Sequence, residues 1–222
     1  MLWFLQPGVT LETVFMRVLS VLVIILLVLP LHECAHAWVA YRMGDSTAKN
    51  RGRLTLNPLP SIDPIGALCI LLFGFGWAKP VPVDSRYFTK NAKAKMALTA
   101  LAGPVSNLLA AFVGALIFYL IAFLTGYSTS VIMSYVATFF LYYITININL
   151  AVFNLIPLPP LDGSRILAAF LPDRMVYQYY RYQNIIMLAV FFLLFTGVLH
   201  RPLGWVSNPG FNGIFNFGAL PF

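Results

Sequence analysis

From Val18 to Leu29 the chain runs through apolar residues broken only by Ser20. Pro30 and Leu31 follow, and then His32-Glu33-Cys34-Ala35-His36. A segment in apolar surroundings must satisfy its own backbone hydrogen bonds, and on its own it does so as a helix. Residues four apart on a helix share a face. His32 and His36 can therefore present both imidazoles to one metal ion. Glu33, beside them, can handle a proton on a metal-bound water. H-E-x-x-H alone is short enough to arise by chance. A carboxylate and two imidazoles next to a lipid-like run are nevertheless expensive to keep without a task.

The rest of the composition agrees with a membrane setting. Charged residues make up 9% of the 222 residues and hydrophobic ones 60%, with a mean hydropathy of +0.83. Soluble domains carry about 25% charged residues, so this chain has too little charge to coat a soluble surface. Its length fits one membrane-embedded domain over 1–222, with a core at 13–170 and a fourth span and tail at 183–222. The net charge of +7 does not point to nucleic acid, because the basic residues cluster in loops beside apolar segments. Cys34 and Cys69 both lie in apolar surroundings and imply no disulfide framework. Cys34, two residues from His32, points to another side of the helix and reads as a small buried filler. The first apolar run lacks a basic start and a small-residue cleavage site, so no cleavable signal peptide is expected.

Along the chain, a helix is expected from about Thr13 to Met43, kinked at Pro30 and ended by Gly44-Asp45. Residues 44–95 are basic and rich in Pro and Gly. Within them Arg53-Leu54-Thr55-Leu56 reads as a short strand. Gly66 to Trp77 is apolar but too short to span, and reads as a strand or re-entrant element; Lys79 to Val83 reads as extended. Further spans are expected at 96–124, 131–153 and 185–199, and a short helix at 164–170. The fold class is an all-α polytopic membrane protein. It has about four transmembrane helices plus short β-strand or re-entrant elements on the cytoplasmic side. With the end of the first helix in the cytoplasm, 12 of the 14 basic residues fall on that side and only Arg17 and Arg201 on the other. The positive-inside rule favours this orientation, which puts the motif and Asp162 on the same half of the bilayer.

A catalytic zinc usually keeps three protein ligands and one open position. His200, the third histidine, falls at the opposite end of the fourth span and reads as interfacial. Among the acidic residues Asp162 is the best placed, because it sits where a helix breaks in Pro159-Pro160-Leu161-Asp162-Gly163. Spacing leaves two readings of it open, a metal ligand or the cap of the helix that follows.

Three motifs in order, His32-Glu33-x-x-His36, Gly103-Pro104-x-x-Asn107 and Asn154-x-x-Pro157-x-Pro159-x-Leu161-Asp162-Gly163, together resemble the site-2 protease family of intramembrane zinc metalloproteases. Arg53 to Pro58, Asp63 to Gly66 and Gly76 to Val83 look like its compact prokaryotic branch, which lacks PDZ and CBS domains. The resemblance covers about residues 31–166. One departure is Ser61, where the branch carries a histidine. The resemblance implies one zinc ion on His32, His36 and Asp162, with Glu33 as general base. It also implies hydrolysis of peptide bonds in or near transmembrane segments. The expected setting is a prokaryotic cytoplasmic membrane, with the lipid bilayer and a transmembrane protein or peptide as partners, and no nucleic acid. Asn107 and Asn154 are the polar candidates for holding the substrate backbone or the oxyanion; their other reading is interhelical hydrogen bonding. Asn147 extends the polar seam of Asn154, and Asn149 projects elsewhere. The strand-like pieces could offer an edge to an unwound substrate. Two other functions compete. One is a metal-binding homologue that holds substrates without turnover, against which the intact Glu33 argues. The other is a metal or ion transporter, which no internal repeat supports.

Overall fold

The computed structural model describes residues 15, 18, 19, 21–73, 76–126 and 130–196. Its elements are α1 (Val21–Arg42), a single turn at Thr47–Asn50, α2 (Pro64–Phe73), α3 (Ala92–Leu124), α4 (Val131–Asn154), α5 (Asp162–Ala168), α6 (Asp173–Arg181) and α7 (Gln183–Phe195). α1, α3 and α4 are long and apolar enough to cross a membrane. The start expected at Thr13 and the position of His200 lie outside the described residues. α7 covers most of the expected fourth span with 13 residues. At about 1.5 Å per residue these reach about 20 Å, short of the ~30 Å hydrocarbon core. Three spans, rather than four, therefore meet the length of a bilayer among the described residues.

Where Pro30 predicts a kink, α1 carries a π-helical turn at Ile24–Val28, and the Leu29 N–H reaches back to the Ile24 carbonyl. A prolyl ring crowds the carbonyl four residues before it. A wider turn there relieves the crowding within a continuous helix.

α3 lies between the other two spans and also carries α5. Its sequence explains why. Leu109, Val113, Leu116 and Leu120 form one stripe, each more than half exposed, as suits a lipid-facing surface. The opposite face buries Ala100, Gly103, Ala111, Gly114 and Ala115. Small residues let helix backbones approach closely where lipid supplies no hydrophobic drive. Against this face Ile144 and Ile148 of α4 close the core with Ala111 and Ala115.

The described residues contain no β-strand, which corrects two expectations and removes the strand edge suggested for substrate. Arg53 to Leu56 alternates like a strand. Its Arg53 guanidinium, however, turns inward to the Lys79 carbonyl, and Asn57 turns the chain by accepting the Leu59 N–H at 3.1 Å. No neighbouring strand pairs with it. Gly66 to Trp77 is helical as far as Phe73, because Asp63 accepts the Gly66 N–H at 2.8 Å and starts α2. The chain then returns along α2: a Cβ on Gly66 would lie 2.0 Å from the Trp77 carbonyl oxygen. Glycine is needed for that approach.

The returning segment, residues 79–84, lies over the end of α1. The Lys79 N–H donates to the Ser61 carbonyl (2.9 Å), the Val81 N–H to Glu33 Oε2 (2.9 Å) and the Asp84 N–H to Asp45 Oδ2 (2.7 Å). Gly44, at φ 110°, turns the chain so that Asp45 enters the interior with no exposure. Asp45 also accepts the Thr47 N–H at 2.8 Å. Asp45→Ala would leave both amides without that acceptor, at about 1–3 kcal/mol per unpaired buried group. The expected result is a melting temperature lower by about 2–4 °C per kcal/mol, read by thermal unfolding in detergent. A melting temperature equal to that of the unmodified chain would refute this account of the strap.

Candidate metal centre

α1 turns Pro30, His32, Glu33, His36, Ala37 and Ala40 inward. Trp38 and Tyr41 take the outer side, at 55% and 37% exposure. The inward face meets α3 through a specific bond: His36 Nδ1 lies 2.7 Å from the Thr99 carbonyl oxygen. A carbonyl only accepts, so Nδ1 carries the hydrogen and Nε2 presents its lone pair. Pro104 lacks the N–H that would bond the Ala100 carbonyl, one residue after Thr99, within the unbroken α3.

α5 supplies the third group. α4 ends at Asn154, and the Leu155 to Leu161 turn, with a cis Pro159–Pro160 bond, leads into α5. The cap position of α5 is Leu161, with no side-chain cap bond. Of the two readings of Asp162, the cap therefore falls. Gly163 packs where a Cβ would meet the Leu155 carbonyl oxygen at 2.3 Å, so the turn folds tightly under the end of α4. Asp162 is thereby aimed at the histidines. Its Oδ2 lies 3.1 Å from His32 Nε2 and 3.2 Å from His36 Nε2, and the two Nε2 atoms are 3.0 Å apart.

Three acceptor-bearing atoms facing one another are not satisfied by a single shared proton. Donors about 2.0–2.1 Å from a tetrahedral ion stand about 3.3–3.4 Å apart. The observed 3.0–3.2 Å separations are close to that. Two imidazoles and one carboxylate suit zinc in charge and softness. His32, His36 and Asp162 therefore fit zinc as a set of three ligands, the number that catalytic sites use. Gly103 closes the α3 side: a Cβ there would lie 2.5 Å from both His32 Cε1 and His36 Nε2.

These motif residues sit within a longer match. Residues 20–197 match the family profile described as Peptidase family M50. The chain belongs to that family. Among curated relatives, YwhC of Bacillus subtilis, designated a candidate zinc metalloprotease, is 48% identical over 145 residues, 64% of either chain. Rip2 of Mycolicibacterium smegmatis, with the same designation, is 35% identical over 144 residues, covering 62% of this chain and 52% of the relative. This M50 member thus spans less than two thirds of either relative's length. No solved structure matches.

In this M50 chain Glu33 is buried, with Oε2 held by the Val81 amide. The asparagines separate. Asn154 is half-buried at the end of α4 and donates Nδ2 to the Leu150 carbonyl at 3.0 Å. Asn107 is fully buried on α3, one turn beyond Gly103. Asn147 donates to the Tyr143 carbonyl at 2.8 Å, and Asn149 is exposed. Cys34 is free and half-buried. The Thr99 carbonyl and the Val81 amide are backbone groups, which no residue type reveals. Gly103 stood within a quoted motif, and only the close approach of α1 and α3 shows what its missing side chain permits.

Proposed function

We propose that this chain is one membrane-embedded domain and an intramembrane zinc endopeptidase, hydrolysing peptide bonds in or near transmembrane segments. The convergence of His32 Nε2, His36 Nε2 and Asp162 Oδ2 beside Glu33 carries the reading. The designations of the two relatives point the same way. Zinc held there would supply a Lewis acid and would bring the pKa of a bound water toward about 7. Glu33 accepts the proton of the attacking water and passes it to the leaving amine. With Oε2 tied to the Val81 amide, Oε1 is the oxygen that moves the proton. Asn154, the more open asparagine, holds the substrate backbone or the oxyanion.

The site faces the cytoplasm in this reading. The skew of basic residues supports it, and so does the rim of α1. Lys49 lies 4.3 Å over the Tyr41 ring, and Arg42 lies 5.8 Å over the Trp38 ring. Aromatic and basic side chains of this kind mark a membrane interface. Trp38 is two residues from His36, about 3 Å of helix rise, so water has a short path to the centre.

The test is metal removal with a transmembrane peptide in detergent. The purified protein is expected to carry one zinc per chain, to stop cleaving when a chelator strips it, and to recover on adding zinc back. Cleavage that persists in the stripped protein would overturn the reading.

A further inference from the structure

His36 has a backbone partner for its outer nitrogen, the Thr99 carbonyl. His32 has none: its Nδ1 is buried with no partner among the described residues. Neither amide atom of Asn107 has one either, and Asn107 is 0% exposed. Buried polar groups are almost always hydrogen-bonded, to protein or to water.

The register of α1 against α3 relates the two orphans. α1 and α3 run past each other in opposite directions. His36 meets Thr99, and His32, one turn earlier on α1, meets Gly103, one turn later on α3. A Cβ on Gly103 would lie 2.5 Å from His32 Cε1 and 2.6 Å from Nε2. The edge of the His32 ring nearest Gly103 is thus Cε1–Nε2, and Nδ1 is the other nitrogen bonded to Cε1. The next turn of that same buried face of α3 is Asn107.

We infer that Asn107 is a positioning residue for His32, its side-chain oxygen receiving the Nδ1 hydrogen through one buried water. The inference rests on the zinc reading above. With Nε2 turned to the ion, Nδ1 must carry a hydrogen, and an acceptor for it fixes the tautomer and the ring angle. A buried water needs two to four polar partners, and His32 Nδ1 with the two Asn107 amide atoms provides three. Asn107 thereby does for His32 what the Thr99 carbonyl does for His36. This role differs from the substrate or oxyanion role suggested by sequence.

The test measures zinc affinity by competition with a calibrated chelator in the full chain. Asn107→Leu and Asn107→Ala are each expected to bind zinc on the order of 10- to 100-fold more weakly. The metal-free Leu variant should still unfold cooperatively, since leucine is close to asparagine in size and shape, so that a lost affinity reports on the centre rather than on the fold. Asn107→Asp keeps the acceptor oxygen and should recover most of the affinity. Wild-type affinity in both the Leu and Ala variants would overturn the inference while leaving the zinc site standing. Absence of zinc from the wild type would remove both.

Discussion

Glu33→Gln is expected to keep its zinc and lose peptide cleavage. Glutamine has the shape of glutamate, and its amide oxygen can still accept the Val81 N–H that Glu33 Oε2 now holds at 2.9 Å. The strap over α1 and the three converging ligand atoms therefore stay in place. What would disappear is the group that the proposed function assigns to take a proton from water and return it. General base catalysis of this kind contributes about 10²–10⁴-fold, so the rate on a transmembrane peptide should fall by about that factor. Zinc content by elemental analysis should remain one per chain. The same variant separates a protease from a homologue that only holds substrates, because a holder has no turnover to lose. A Gln variant that cleaves as fast as the unmodified chain would remove Glu33 as base.

The parts of this architecture visible in the sequence are those set by periodicity and by lipid. The two histidines share a face because a helix repeats every 3.6 residues. The spans at 96–124 and 131–153 appear within a few residues of α3 and α4 because a membrane-crossing backbone has few alternatives to a helix. Asp162 was legible as a position and ambiguous as a role, since an aspartate ahead of a short helix serves equally as a cap. In the structure Leu161 takes the cap position of α5 and Asp162 Oδ2 lies against the two histidines, an arrangement set by tertiary packing. Arg53 to Leu56 misled for a related reason. Alternation describes a strand only when another strand is there to pair, and here the inward polar side chain serves the Lys79 carbonyl instead. Backbone partners such as the Thr99 carbonyl leave no trace in residue type. Gly103 lies between these cases: the residue is plain in its motif, and its reason is the space it leaves.

Gly103→Ala should therefore be among the most damaging single-methyl additions to the chain. The new Cβ would fall 2.5 Å from His32 Cε1, 2.5 Å from His36 Nε2 and 2.6 Å from His32 Nε2. These are ring atoms of the two proposed histidine ligands, and neither ring can swing away without moving its Nε2. His36 is further fixed by its 2.7 Å bond to the Thr99 carbonyl. The alternative is for α3 to back away from α1, at about 1–3 kcal/mol for an overpacked core. Either route spoils the ligand geometry, so zinc content and cleavage should be lost together, unlike in Glu33→Gln. Gly114→Ala is the matched comparison on the same helix. Its Cβ would meet the Tyr143 ring at 2.8 Å, far from the metal, and Tyr143 can tilt. That variant is expected to lower the melting temperature modestly and to keep one zinc per chain. If Gly103→Ala binds zinc as tightly as Gly114→Ala does, the histidines do not rest against α3 as described, and the geometry of the centre must be redrawn.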